Sequence, residues 1–263
     1  MDTNEKAIAK FAVPIEKVLD KPAQEIGEGL GNLFWLIFYP LLKARINMEH
    51  KIEKYKEEIQ KEINKIPAGE IVEPKISIVG PALEASKYYI DDQEIRSMFA
   101  KLIASSMKAD LHHMAHPAFI EVIKQLTPID AVIFKYMVDS PTFPIGRVVV
   151  EYDNFTSKTW IPTLFSVPEE LLLPFFPDEN ITINYSFIAS SVDNLVRLGL
   201  LNINYDKSHA DESFYAPLYE HPIFKQCQED KELLSEPNNP KVVLKKAVWR
   251  LTDFGYQFKE CCL

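Results

Sequence analysis

Three histidines stand within five residues of one another: His112, His113 and His116 in the run HHMAH. Imidazole nitrogens suit zinc and copper, and positions 112 and 116 would share one face of a helix. The run lacks the HExxH pattern, no cysteine is near, and spacing supplies no acidic third ligand. A polar loop ahead of Pro117 explains the cluster more simply, so no metal is expected there. Glu84 with Asp91 and Asp92, and Glu151 with Asp153, are the two carboxylate groupings. Helix solvation and capping account for the first, and the second follows a strand with no partner base in view. The three cysteines, Cys227, Cys261 and Cys262, have no CxxC spacing, which fits a reducing compartment better than a disulfide framework. No hydrolase elbow and no phosphate loop occurs. A non-enzymatic protein without a cofactor is the expectation.

Composition sets the frame for these residues. The chain has 263 residues, 47% hydrophobic and 25% charged, with a formal charge of −9. These are values of a globular protein of one large or two ordinary domains. From residue 127 onward there are 12 basic and 19 acidic residues. That balance disfavours nucleic-acid coating, which needs a basic surface. Residues 1–20 lack the apolar core of a secretory signal, so a cytoplasmic location is expected, with a peripheral place at the inner membrane as a further option.

The N-terminal region, 1–75, reads as a helical arm. Ile8, Phe11, Ile15, Val18 and Leu19 recur at helical spacing. Pro22 and the glycines at 27, 29 and 31 are expected to interrupt the helix beyond them. Residues 30–42, LGNLFWLIFYPLL, are the most hydrophobic stretch. From Ile26 to Leu42 there are 17 residues with one charge, short of the roughly 20 a spanning helix needs, and Pro40 lies inside. A buried hairpin or core helix is one reading. The other is a contact segment for a membrane or partner, in which Trp35, Phe38 and Tyr39 are the contact side chains and Lys43 and Arg45 the adjoining cations. Residues 43–66 hold seven Lys or Arg and five Glu. Ile52, Tyr55, Ile59, Ile63 and Ile66 form a narrow apolar seam, which suits packing on its own domain or self-association.

The central region, 76–126, is helical. Residues 76–80 are an apolar entry, Pro81 begins a helix, and Asp91 with Glu94 forms a capping box for the next. Ile95, Met98, Phe99, Leu102 and Ile103 share one face. Residues 117–126 form another helix, and Thr127 with Pro128 opens one running to Asp139.

From 127 to 263 the character changes to α+β. Strands are expected at 148–150, 201–205 and 242–251, a short helix at 168–176, and a helix from Ser186 ending at Gly199. Thr252 caps a last helix. This order is that of a winged helix with a long wing insertion at 207–240. Its candidate recognition helix carries only Arg197 as a base-reading cation, so DNA is not the expected partner. Overall the fold class is mainly α, α+β overall, a helical N-terminal region followed by a winged-helix-like domain.

Several segments resemble one family. They are IVGPALEASKYYIDDQEIRSMFAKLIASSM (78–107), HPAFIEVIKQLTPIDAVIF (116–134), NLVRLGL (194–200) and LTDFGYQF (251–258). Together they are similar to the bacterial abortive infection alpha family, from about residue 15 to the end. The resemblance implies a bacterial antiviral defence protein and implies no reaction, cofactor or catalytic residue. The expected function is phage defence through protein interaction, with an unknown phage or host protein, or through membrane contact. A winged-helix DNA-binding transcriptional regulator is the alternative.

Overall fold

The computed structural model describes residues 21–43, 48–140, 143–153, 155–176, 185–235 and 239–263. The helical stripe expected at 4–20 lies outside them. The chain forms two compact units, residues 1–128 with 257–263, and residues 129–256.

The first unit is helical. α1 runs from Lys21 to Lys43 and α2 from Glu49 to Ile63. α3 spans Ile76–Ser86, α4 spans Gln93–Ser105 and α5 spans Ala118–Lys124. α4 is the central element: Ile95, Phe99, Leu102 and Ile103 are all fully buried. The amphipathic face read from the sequence is therefore the core. Asp92 rather than Asp91 is its N-cap, without a side-chain capping bond, because Asp91 is drawn to Lys51 at 2.6 Å. α3 begins five residues before Pro81 and carries that proline inside. On α2 the apolar seam is spent within the unit, with Ile52, Tyr55, Ile59 and Ile63 each no more than 1% exposed.

The last helix of the chain, α12 (Asp253–Cys262), contributes its C-terminal turns to this unit. Phe258 meets Phe119 edge-on at 5.4 Å, and the Ser105 hydroxyl donates to the Cys261 carbonyl at 3.0 Å.

The second unit holds a four-stranded antiparallel sheet in the order β2-β1-β4-β3. Its strands are β1 (Ile145–Tyr152), β2 (Phe155–Phe165), β3 (Leu201–Asn204) and β4 (Lys241–Leu251). β4 serves two partners. Its first half pairs with β1, from Lys241 against Glu151 to Ala247 against Ile145. Its second half pairs with β3, from Val248 against Asn204 to Leu251 against Leu201. β2 is not among the expected strands, and it contains Pro162, which cannot donate to a ladder. The sheet accepts it because β2 is at the edge, and its register slips between the Arg147–Thr163 and Val149–Trp160 pairs, where Pro162 falls.

Two helices flank the sequence of these strands: α6 (Pro128–Asp139) before them, and α8 (Tyr185–Arg197) before β3. α7 (Glu169–Leu172) is a single turn. α8 ends at Gly199, whose φ of +74° is the left-handed conformation that glycine adopts freely. Gly255 is fixed by contact instead: a Cβ there would lie 2.0 Å from the Leu200 carbonyl oxygen. Thr252 joins the two segments. Its amide donates to the Leu200 carbonyl at 3.1 Å, its hydroxyl donates to the Gly199 carbonyl, and the Gly255 amide donates to that hydroxyl at 2.8 Å. The NLVRLGL and LTDFGYQF motifs thus build one junction.

The 207–240 stretch differs from a loose wing. It holds a 3-10 turn at Glu212–Tyr215 and the helices α9 (Ala216–Tyr219), α10 (Pro222–Glu229) and α11 (Lys231–Leu234). Tyr215, Leu218 and Phe224 pack on Val148, Leu164 and Leu244, covering one face of the sheet. Side chains alternate along a strand, so Arg147 and Thr163 lie on the other face, with Asp193 of α8 and Tyr205 beside them.

Candidate functional site

The expected interruption at Pro22 and the glycines does not occur, and of the hairpin and core-helix readings of 30–42 the helix holds, because α1 is continuous from Lys21 to Lys43. With 100° per residue, positions 27, 30, 31, 34 and 38 form one stripe. Gly27, Leu30, Gly31, Phe34 and Phe38 are all buried. The Phe34 and Phe38 rings stack with centroids 4.4 Å apart. Both lie against Tyr55 of α2, at 6.2 and 5.9 Å. Glycines at 27 and 31 let the helix lie close to what it covers, as small residues do at helix contacts.

The opposite side stays open. Leu36 is 71% exposed and Tyr39 39%. Half-buried Trp35 lies on the flank, its ring 4.5 Å from that of Tyr39. Of the residues singled out for contact, Trp35 and Tyr39 come together on this outer side. Phe38 does not: it is 1% exposed and belongs to the stripe. The correction follows from the helical period, since 35 and 39 share a face from which 38 is turned by one residue. The Lys43 side chain and Arg45 lie outside the described residues. Leu36, the most exposed apolar side chain of this helix, was missed. Its signal was present, for it falls opposite Phe34 and Phe38 once a single helix is assumed.

Beneath α1 lies a polar network. Tyr55 is fully buried; its hydroxyl finds no well-aligned hydrogen-bond partner, only the Ser86 hydroxyl beside it, which itself donates to the Leu83 carbonyl at 2.8 Å. Burial pushes the Tyr55 phenol well above its ordinary value. Arg96 of α4 donates from Nε and Nη2 to the two carboxylate oxygens of Glu58, each at 2.7 Å. A third donation, from Nη1, goes to the Ile90 carbonyl at 2.5 Å. Such a bidentate pair fixes α2 against α4.

The other chemistry-bearing residues are engaged in structure. His112 Nδ1 is 2.7 Å from the Ser106 carbonyl, and His116 Nδ1 accepts from the Ala118 amide at 3.0 Å. Among the described residues no three His, Cys, Asp or Glu side chains converge on a metal-sized site. Glu84 pairs with Lys87. Asp153 accepts from Asn239 and Lys241, which hold its carboxyl below the usual range. Burial pushes the Cys261 thiol up to about 12 and the Cys262 thiol well above its usual value, the reverse of an activated thiolate.

Two cavities in the first unit are open to solvent. One, of about 340 Å³, lies between α3 and α5 and is lined by Pro81, Ala85, Tyr88, Tyr89 and Ile120, with Glu84, Glu121 and Lys124 among its polar residues. The other, of about 250 Å³, presents Lys65, Lys101 and Lys108. Its ammonium groups are already met: Lys65 by Glu62 at 2.6 Å, Lys108 by Asp110 at 2.9 Å, and Lys101 by a Leu263 oxygen. Neither holds an unpaired charge that selects a ligand.

Together these features define a mainly helical α+β protein in which exposed apolar side chains include Leu36 and Tyr39 on the outer side of α1, and Ile76 and Tyr88 elsewhere in the first unit. Among the described residues no helix is long and apolar enough to cross a membrane. Residues 47–262 match the model of the family described as abortive infection alpha. The chain belongs to that family, which points to a part in abortive infection, a form of phage defence. No curated protein and no solved structure matches the chain. The family match begins after α1, so the helix with the open apolar side lies outside it.

Proposed function

We propose that this protein serves phage defence without catalysis, by contact through the outer side of α1 with a membrane surface or a protein partner. The observation that carries the reading is the exposure of Leu36 beside the Trp35–Tyr39 ring pair. An apolar helix side with Trp and Tyr suits an interface where one end of each ring is wet. The sequence cations Lys43 and Arg45 would add attraction to anionic headgroups. The contacts of His112, His116, Glu84 and Asp153 within the fold, and the burial of Cys261 and Cys262, support a non-catalytic role. A DNA-binding role has less support. Arg197 of α8 donates to Asn194 at 3.0 and 2.7 Å, and Asn194 in turn donates to Asp130 at 2.9 Å. The winged-helix reading rests on the β3–β4 pairing and is kept here as a platform for protein contact.

The test is phage challenge of cells carrying wild type, Trp35→Glu or Leu36→Glu, with vesicle co-sedimentation of the purified proteins. Loss of protection by variants that remain folded is expected. Full protection by both would remove the outer side of α1 from the mechanism. Sedimentation with anionic vesicles identifies a membrane as the target, and its absence alongside lost protection identifies a protein.

A further inference from the structure

We infer that α1 is a releasable strap: the fold holds it closed over Tyr55 by one apolar stripe and loads it toward opening. This deepens the contact reading by naming how the same helix is regulated. Four observations converge. The stripe that holds α1 is narrow, with Leu30, Phe34 and Phe38 as its large side chains. The helix has little intrinsic stability, since it carries glycines at 27, 29 and 31 and Pro40 inside. Pro40 has no amide to give the Leu36 carbonyl one turn back, and Leu36 carries the more exposed of the two large apolar side chains open on the described part of α1.

The third observation is beneath the strap. Phe34 and Phe38 lie against the fully buried Tyr55 ring, and the phenol has no well-aligned hydrogen bond, only the Ser86 hydroxyl that is already committed to Leu83. A buried hydroxyl so poorly satisfied penalises the closed state, and opening gives it water. The covered region is otherwise self-sufficient. Arg96 and Glu58 satisfy each other and would persist after release. Fourth, the family match starts at residue 47, so the matched fold excludes α1. A released α1 gains apolar surface, because the stripe of Leu30, Phe34 and Phe38 is added to Trp35, Leu36 and Tyr39 on a side that also carries Glu28 and Asn32. Locally opening elements of this kind are the usual parts from which switches are made.

The experiment is amide hydrogen exchange on the full chain, read by mass spectrometry without membrane or partner, for wild type, Phe38→Ala and Tyr55→Phe. Amides of 27–43 are expected to exchange as a group, at least about tenfold faster than those of 50–63 and 95–105. Phe38→Ala should speed the 27–43 group about tenfold or more and leave the other two segments unchanged. Tyr55→Phe, which keeps the ring and removes the lone hydroxyl, should slow it about fivefold. Exchange of 27–43 at the rate of the 95–105 core, or equal acceleration of all three segments by Phe38→Ala, would overturn the strap. Faster exchange of 27–43 in Tyr55→Phe would do the same. Because no target is present, these outcomes judge release alone, whereas the Trp35→Glu and Leu36→Glu phenotypes judge contact.

Discussion

Helix α1 in the first unit and the short helices between β3 and β4 in the second both lay apolar side chains over a preformed surface. α1 does so with a stripe along one long helix and leaves Leu36 71% exposed behind it. The 212–229 stretch is mostly exposed and polar, yet it puts Tyr215 and Leu218 at 0% and Phe224 at 3%. Its inner residues are also tied by polar bonds. The Tyr215 hydroxyl donates to the Ala247 carbonyl and accepts from the His209 amide, each at 3.0 Å. His221 Nδ1 accepts from the Ile223 amide at 3.2 Å and so caps α10. If α1 is the releasable element proposed above, complementary apolar contact with satisfied polar groups, and not total hydrophobicity, sets how firmly an element is held.

Paired truncation tests this contrast most severely. Phe224→Ala should lower the stability of the second unit by about 3–5 kcal/mol in denaturant unfolding. Phe38→Ala removes a ring of equal size, yet it should act mainly on α1 and leave the unfolding midpoint reported by the α4 core nearly unmoved. Equal global losses would make α1 as integral as α10.

The next effect is a pH dependence confined to the second unit. Burial pushes the His221 imidazole down to about 4 from its ordinary 6.5. The folded state therefore binds fewer protons than the unfolded chain between those values. The associated stability is fully present above pH 6.5 and is lost as pH falls toward about 4, by about 2–3 kcal/mol. Protonation also removes the Nδ1 acceptor that caps α10. Unfolding at pH 7 and pH 4.5 should show this slope, and His221→Asn should flatten it. A slope unchanged in His221→Asn assigns it to other groups.

A smaller change tests the polar ties. Tyr215→Phe leaves the His209 amide and the Ala247 carbonyl without this hydroxyl, and should cost about 1–2 kcal/mol by thermal unfolding. The matching phenol in the first unit is expected to behave oppositely, since Tyr55→Phe loses only a poorly aligned contact with Ser86 and should not destabilise. The smallest effect is Leu36→Gln, expected within about 0.5 kcal/mol of wild type because the side chain stands in water. A loss of about 2 kcal/mol there would mean that the outer side of α1 is covered.

Much of the architecture was legible from residue order. Pro128 at the start of α6, the buried face of α4, the β3–β4 pairing and the Leu251-Thr252 junction all follow local rules of capping, periodicity and turn chemistry. The placement of Phe38 was not legible while Pro22, Gly27, Gly29 and Gly31 were read as interruptions and 30–42 as hairpin or helix, since a broken chain has no common face. Packing on Tyr55 overrides those local preferences, as tertiary contact commonly does. The inward turn of Tyr215, Leu218 and Phe224 was equally hidden, because three apolar residues spaced across a polar stretch make no periodic signal.

Residue order alone established the family, the lack of a local catalytic motif, and the elements whose signals are short-range. It also marked α1 as the chain's most apolar stretch. Packing in three dimensions decided which side of α1 is core and which is open, that Tyr55 is fully buried against Phe34 and Phe38, and that Gly255 must be glycine because the Leu200 carbonyl lies where a Cβ would stand. One cause underlies all three. Burial and close approach are properties of two segments at once, and a single segment's composition carries only its half of that information.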